Sequence, residues 1–226
     1  MDPNILSIII YGSHARKDHD ASSDFDLCIL TKERQNHELN HEEIKEATGL
    51  FEAQNLNLVC YPDSVVDSML KYGSLFLWHL KLEGKILYGE DYFTNKVRKL
   101  KQFKTHYEEI IYHLELFQDL LRSWIFLSIP NELDLSIMFT LSRNACMVLS
   151  HKAGKPSFGR LSSFSATKEL FADLPMTIDE YLYLSNWKII YERDCDSKHP
   201  LPNADEYKKI LSAVEGLLHY ALNKTA

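Results

Sequence analysis

Two short motifs, Gly12-Ser13 and Asp24-Phe25-Asp26, hold the residue types through which this chain could do chemistry. Gly12 ends the β-branched apolar run Ile5–Tyr11, which reads as a buried strand. Glycine there lets the backbone turn sharply and approach a ligand closely. A helix opening at that turn would present free backbone N–H groups and the positive end of its dipole, which suits a phosphate. The Ser13 hydroxyl can add a donor. Asp24 and Asp26 flank Phe25 where a second strand, residues 25–30, begins. Strand side chains alternate, so the two carboxylates share one face and Phe25 takes the other. Neighbouring carboxylates repel, a divalent cation relieves the repulsion, and Mg²⁺ prefers carboxylate and phosphate oxygens. A phosphate cradle opposite a carboxylate pair is the layout that metal-assisted phosphoryl transfer needs.

The elements that must position these motifs are legible along the first ninety or so residues. A third apolar run, residues 56–61, is stopped by Pro62. Between the second and third runs, the polar, Glu-rich residues 37–48 read as an exposed helix ended at Gly49. Helices over 64–71 and 74–82, a break at Gly84 and a short strand over 86–88 follow. Beyond Asp91 the character changes. Val97, Leu100, Phe103, Tyr107, Ile110, Ile111, Leu114, Phe117, Leu121 and Trp124 recur at steps of three and four, the stripe of one long amphipathic helix. Residues 135–149 are apolar on most faces, which predicts a central buried helix. Further helices are expected over 165–171, 178–191 and 204–222, with Pro175, Pro200 and Pro202 in the gaps. The expectation is an α/β unit over 1–92 and an all-α helical bundle over 93–226. The junction has no Gly/Ser or Pro-rich linker, so close packing is expected, with a cleft as the natural ligand site.

The segment YGSHARKDHDASSDFDLCIL, residues 11–30, resembles the polymerase-β-type nucleotidyltransferase superfamily, whose signature is Gly-Ser followed after about ten residues by Asp-x-Asp. It looks closest to the small bacterial form written GSxARG-x5-SDxDL. Gly12, Ser13, Ala15, Arg16, Ser23, Asp24, Asp26 and Leu27 match in register, and Lys17 stands where the pattern has Gly. LEGKILYG, residues 82–89, also resembles the segment that follows the family's third strand. The firm resemblance covers about the first ninety residues. The stretch FTLSRNACMVLSHKAGKPSFGR, residues 139–160, resembles more loosely the helical domains of antibiotic adenylyltransferases. The resemblance implies an α+β fold: a mixed sheet with flanking helices, followed by the helical bundle. It implies transfer of a nucleoside monophosphate to an acceptor with loss of pyrophosphate. Asp24 and Asp26 would be catalytic and ligate Mg²⁺ or Mn²⁺, and Gly12, Ser13, Arg16 and Ser23 would bind the nucleotide.

One position departs from the family. The third strand commonly carries an acid in a pattern like V-D-L-V, and Asn57 stands at the corresponding place here. An amide carries no charge and is not a base. Glu52, Asp63 and Asp67 are candidates to substitute, and the resemblance to antibiotic-modifying relatives also admits an acid of the helical domain as the base. Lys152, Lys155 and Arg160 form a short basic cluster that could meet a triphosphate or an anionic acceptor, or be a solvated interhelical loop. Arg143 sits within an apolar helix and needs a partner, either a core carboxylate or the cleft. His14 and His19 share the loop after Ser13, where incidental histidines are the commoner case. His37 and His41 are four apart on a helix, but no third metal ligand is evident. Trp78, Trp124 and Trp187 read as packing residues.

Composition narrows the class. The chain has 226 residues, 45% of them hydrophobic, enough for a core without staples. A net charge of -7 argues against a dedicated DNA binder, which needs Lys and Arg to neutralise phosphates. The four cysteines form no CxxC pair, so no structural zinc site is expected, and Cys28 and Cys60 read as buried strand thiols. The N-terminus lacks the basic stretch of a signal peptide, and no apolar run reaches membrane length. A cytoplasmic location is expected. The expected substrates are ATP, or another nucleoside triphosphate, and a small-molecule hydroxyl. A tRNA or protein acceptor, as in a toxin–antitoxin-type enzyme, is the alternative, as is a catalytically degenerate nucleotide-binding module. No membrane partner is expected, and a homodimer is left open.

Overall fold

Three apolar runs and a short fourth pair into one sheet. The computed structural model describes residues 3–19, 23–33, 41–50, 56–127, 129–193 and 200–226. In it, β1 (Ile5–Tyr11), β2 (Phe25–Thr31), β3 (Leu56–Pro62) and β4 (Lys85–Tyr88) stand in the order β3-β2-β1-β4. β1 is antiparallel to β2 and to β4, while β2 and β3 are parallel, so the sheet is mixed. Parallel neighbours cannot be joined by a hairpin, and α2 (His41–Thr48) lies in the β2–β3 connection. Residues 37–40 of the expected helix, including His37, lie outside the described residues.

Both faces of the central strands are covered, which is why their sequences run apolar without alternation. On one face Ile9, Cys28 and Leu30 join Val66 and Leu70 of α3 (Asp63–Tyr72), Leu77 and Leu80 of α4 (Leu75–Glu83), and Phe93 and Val97 of α5 (Glu90–Val97). On the other, Ile8, Ile10, Leu27 and Ile29 pack with Ala15 of α1 (Gly12–Arg16) and Ile44 of α2. β3 is an edge strand. Cys28 is buried as expected, but Cys60 on β3 is exposed, because an edge position leaves that thiol uncovered.

The chain divides into two compact units, Met1–Lys104 and Thr105–Ala226. The first unit includes α5, whose Phe93 and Val97 are part of its core. The single long helix expected from the stripe is two helices. α5 ends at Val97, and α6 (His106–Leu127) starts at His106. The segment between them spends its backbone on tertiary contacts. The Lys101 N–H donates to the Leu70 carbonyl (3.1 Å), and the Lys101 carbonyl accepts from the Trp78 indole (3.1 Å). The Gln102 carbonyl comes so close to Gly73 that a Cβ there would sit 2.5 Å from it.

In the second unit α7 (Glu132–Lys152) is central. It packs against α6, α8 (Ser162–Leu170), α9 (Ile178–Glu192) and α10 (Ala204–Thr225). Its N-cap Asn131 accepts from the Asp134 N–H, and Asp134 in turn accepts from the Tyr207 hydroxyl at 3.1 Å. Arg143 donates to a backbone carbonyl, that of Phe158. Capping boxes start α9 (Thr177 with Glu180) and α10 (Asn203 with Glu206). Among the described residues no helix is long and apolar enough to cross a membrane.

Candidate active site

The close approach of Gly12 to Asp26 organises the site. β1 ends at Tyr11, whose Cα partner on β2 is Asp26. The chain then turns through Gly12 at φ +70° and enters α1. A Cβ built on Gly12 would lie 2.4 Å from Asp26 Oδ2. Any side chain here would meet both a strained left-handed backbone and a carboxylate. The glycine read from sequence as a turn residue is therefore also the space that Asp26 occupies.

Asp26 has a second fixed neighbour. The parallel register places Asp26 opposite Asn57, and Asn57 Nδ2 donates to Asp26 Oδ1 at 2.9 Å. The departure from the family pattern thus lies in the site, beside the carboxylate, with its amide orienting Asp26. Asp24 is exposed just before β2, and Asp26 is half-buried on it. The three candidate substitutes are placed as follows. Glu52 lies outside the described residues. Asp63 follows the far end of β3, a strand of seven residues and so about 20 Å from end to end. It is bonded there to Lys96 and to the Tyr92 hydroxyl, and Asp67 is also paired with Lys96. Neither acid stands beside Asp26.

Arg16 matches the family pattern, but its guanidinium is committed to carboxylates within this unit. Nε donates to Asp18 (3.1 Å) and Nη1 to Glu83 (3.0 Å), and His79 Nε2 stands 3.2 Å from the same Glu83 oxygen. Arg16 therefore ties α1 to the end of α4. Burial by itself raises the Glu83 carboxyl, but the adjacent His79 imidazole and the Arg16 guanidinium outweigh it and hold the carboxyl below its ordinary value. A depressed carboxyl stabilises the fold above its unfolded pKa, and that contribution is lost as pH falls through the lower folded value. Glu83→Gln should accordingly cost about 1–3 kcal/mol at pH 7. The difference from the parent should shrink as pH falls below about 4.5. Urea unfolding of both proteins across that range checks it, and a pH-independent difference would contradict it.

The remaining candidates are placed as follows. Ser23 is half-buried, and its carbonyl accepts from His14 Nε2 at 3.0 Å. Lys17, where the family pattern has Gly, is in the left-handed region at φ +67°, so the pattern's glycine has a conformational reason. Lys152, Lys155 and Arg160 belong to the second unit. The two lysines are exposed, and Arg160 is half-buried in a segment fixed by its own carbonyl, which accepts from Tyr181 Oη at 2.6 Å. Sequence reasoning missed the partners of Arg16. The available signal was Glu83 itself, an acid inside the LEGKILYG segment that the resemblance had already singled out.

A mixed four-stranded sheet, with a glycine turn at the end of β1 facing an Asp-x-Asp pair at the start of β2, defines a nucleotidyltransferase-type domain. Residues 1–93 match the family model described as polymerase beta, nucleotidyltransferase. Among solved structures, the chain is similar to a nucleotidyltransferase-like protein from Exiguobacterium sibiricum, at 15% identity over 99% of this chain and 73% of that chain, with a TM-score of 0.38. No curated protein matches the chain.

Proposed function

We propose that the protein is a divalent-metal-dependent nucleotidyltransferase that moves a nucleoside monophosphate, AMP from ATP foremost, onto a hydroxyl of a small-molecule acceptor. The observation that carries this reading is the Gly12 turn set against the Asp26 carboxylate, with Asp24 two residues before it. These residues suit Mg²⁺ or Mn²⁺: Mg²⁺ takes one or two carboxylates and completes its shell with substrate phosphate oxygens and water. Bound there, the metal would neutralise charge developing on the triphosphate. Gly12 and Ser13 would cradle the phosphates, and Asn57 keeps Asp26 in one orientation. The acceptor oxygen forms a bond to the α-phosphorus, the bond to the bridging oxygen breaks, pyrophosphate leaves and the hydroxyl proton is released. The acidic chain and the character of residues 139–160 favour a small acceptor over tRNA.

Asn57 favours a second reading, a nucleotide-binding module without transfer, because the residue beside Asp26 is an amide donor rather than an acid. One assay separates the two. Pyrophosphate release is measured for each NTP with Mg²⁺ or Mn²⁺ across aminoglycosides, lincosamides, tRNA and the protein itself, with Asp24→Ala/Asp26→Ala as control. Acceptor-dependent release that the double variant abolishes supports the enzyme. Metal-dependent nucleotide binding with no release across the panel supports the binding module.

A further inference from the structure

The residue that follows the phosphate-side turn is tied to both neighbours of Asp24. His14 Nε2 lies 3.0 Å from the Ser23 carbonyl oxygen. A carbonyl can only accept, so Nε2 carries the hydrogen and the tautomer is set. The same imidazole stacks on Phe25, with ring centroids 3.7 Å apart and planes 17° apart, and on its other side stacks on His19 at 4.1 Å and 17°. One contact grips the residue before Asp24, and the other grips the residue after it. Both act on the chain around Asp24 and neither uses its carboxylate. Asp24 stands in the connection between α1 and β2, and a metal ligand there needs its backbone fixed if it is to meet a cation without reorganisation.

We propose that His14 is a positioning residue for Asp24, clamping Ser23 and Phe25 so that the Asp24 carboxylate is held ready, with Asp26, for a divalent cation. This rests on the reading of Asp24 and Asp26 as metal ligands. A ring that merely covered the apolar cluster around Phe25 would be replaceable by phenylalanine, which keeps the stack. The clamp needs the hydrogen-bond donor as well.

The test compares the parent with His14→Phe (stack kept, donor lost) and His14→Gln (donor kept, stack lost). Amide exchange at Ser23, Asp24 and Phe25 is followed by NMR without metal, and Mn²⁺ binding is followed by electron paramagnetic resonance with a non-hydrolysable ATP analogue. Both variants should exchange faster at these three amides, with protection in β1 retained, and should bind Mn²⁺ about 10–100-fold more weakly, the range for residues that orient metal ligands. Parent-like exchange and Mn²⁺ affinity in His14→Phe would overturn the proposal. So would faster exchange with parent-like Mn²⁺ affinity in both variants, because the clamp would then not serve the metal. If the parent binds no Mn²⁺, the nucleotidyltransferase reading fails. The metal-positioning role of His14 then fails with it, whereas a parent that binds Mn²⁺ while both variants keep its affinity overturns the clamp alone.

Discussion

Gly12→Ala should lower pyrophosphate release by about 100-fold or more, the scale of loss when a reacting group is displaced by an ångström. Two effects add. Alanine at φ +70° carries the left-handed penalty, about 1–2 kcal/mol. Its Cβ would also sit 2.4 Å from Asp26 Oδ2, so the carboxylate must move, and moving it strains the hydrogen bond from Asn57. The protein contains its own control. Gly49 has the same backbone sign, φ +72°, yet among the described residues a Cβ there meets nothing within 4 Å. Gly49→Ala should show the conformational cost in thermal unfolding and leave turnover near the parent's. Equal activity losses in the two variants would show that backbone strain, rather than the approach to Asp26, is what Gly12 relieves.

Asn57→Asp should make the protein's stability strongly dependent on divalent metal. The new carboxylate would stand opposite Asp26, where an amide now donates at 2.9 Å. Two carboxylates at that separation cannot both ionise without cost, so in the absence of metal one of them is raised well above its ordinary value. A carboxyl raised in the folded state contributes stability at low pH that is lost as pH rises through the raised value. The variant without metal should therefore be less stable than the parent at pH 8, by about 1–3 kcal/mol, and recover as pH falls. Added Mg²⁺ or Mn²⁺ should reverse the loss, with a larger rise in unfolding temperature than in the parent. If the parent turns over slowly because it lacks this acid, release should also increase, by about 10-fold or more. A variant whose stability ignores both pH and metal would show that residue 57 does not share a site with Asp26.

How much of this was legible in the sequence depends on how local the cause is. β1, its glycine and β2 could be read because a β-branched run, a turn residue and an alternating Asp-Phe-Asp each announce themselves within a few residues. The placement of Asn57 against Asp26 could be suspected from the family pattern, but strand register is a tertiary property, and a slip of one residue would have turned the amide to the other face. The break between α5 and α6 was illegible for a related reason. Val97, Leu100 and Phe103 keep a helical spacing, but Val97 and Leu100 pack in the first unit's core, and the backbone around Lys101 is held by Leu70 and Trp78. Periodicity recorded that these residues are apolar, not which core they face. Arg16 matched a phosphate-side pattern, and only the fold brings it to Glu83, far away in sequence. Cys60 sits in an apolar run, but exposure on an edge strand is decided by what the neighbouring chain covers.

The most direct test of the central claim is calorimetric binding of a non-hydrolysable ATP analogue, with and without Mg²⁺, to the parent and to Asp24→Asn/Asp26→Asn. The site described here predicts binding that requires the metal in the parent and is lost in the double variant while its thermal unfolding stays cooperative. Binding that is indifferent to metal and to both substitutions, or no binding by the parent at all, would contradict it.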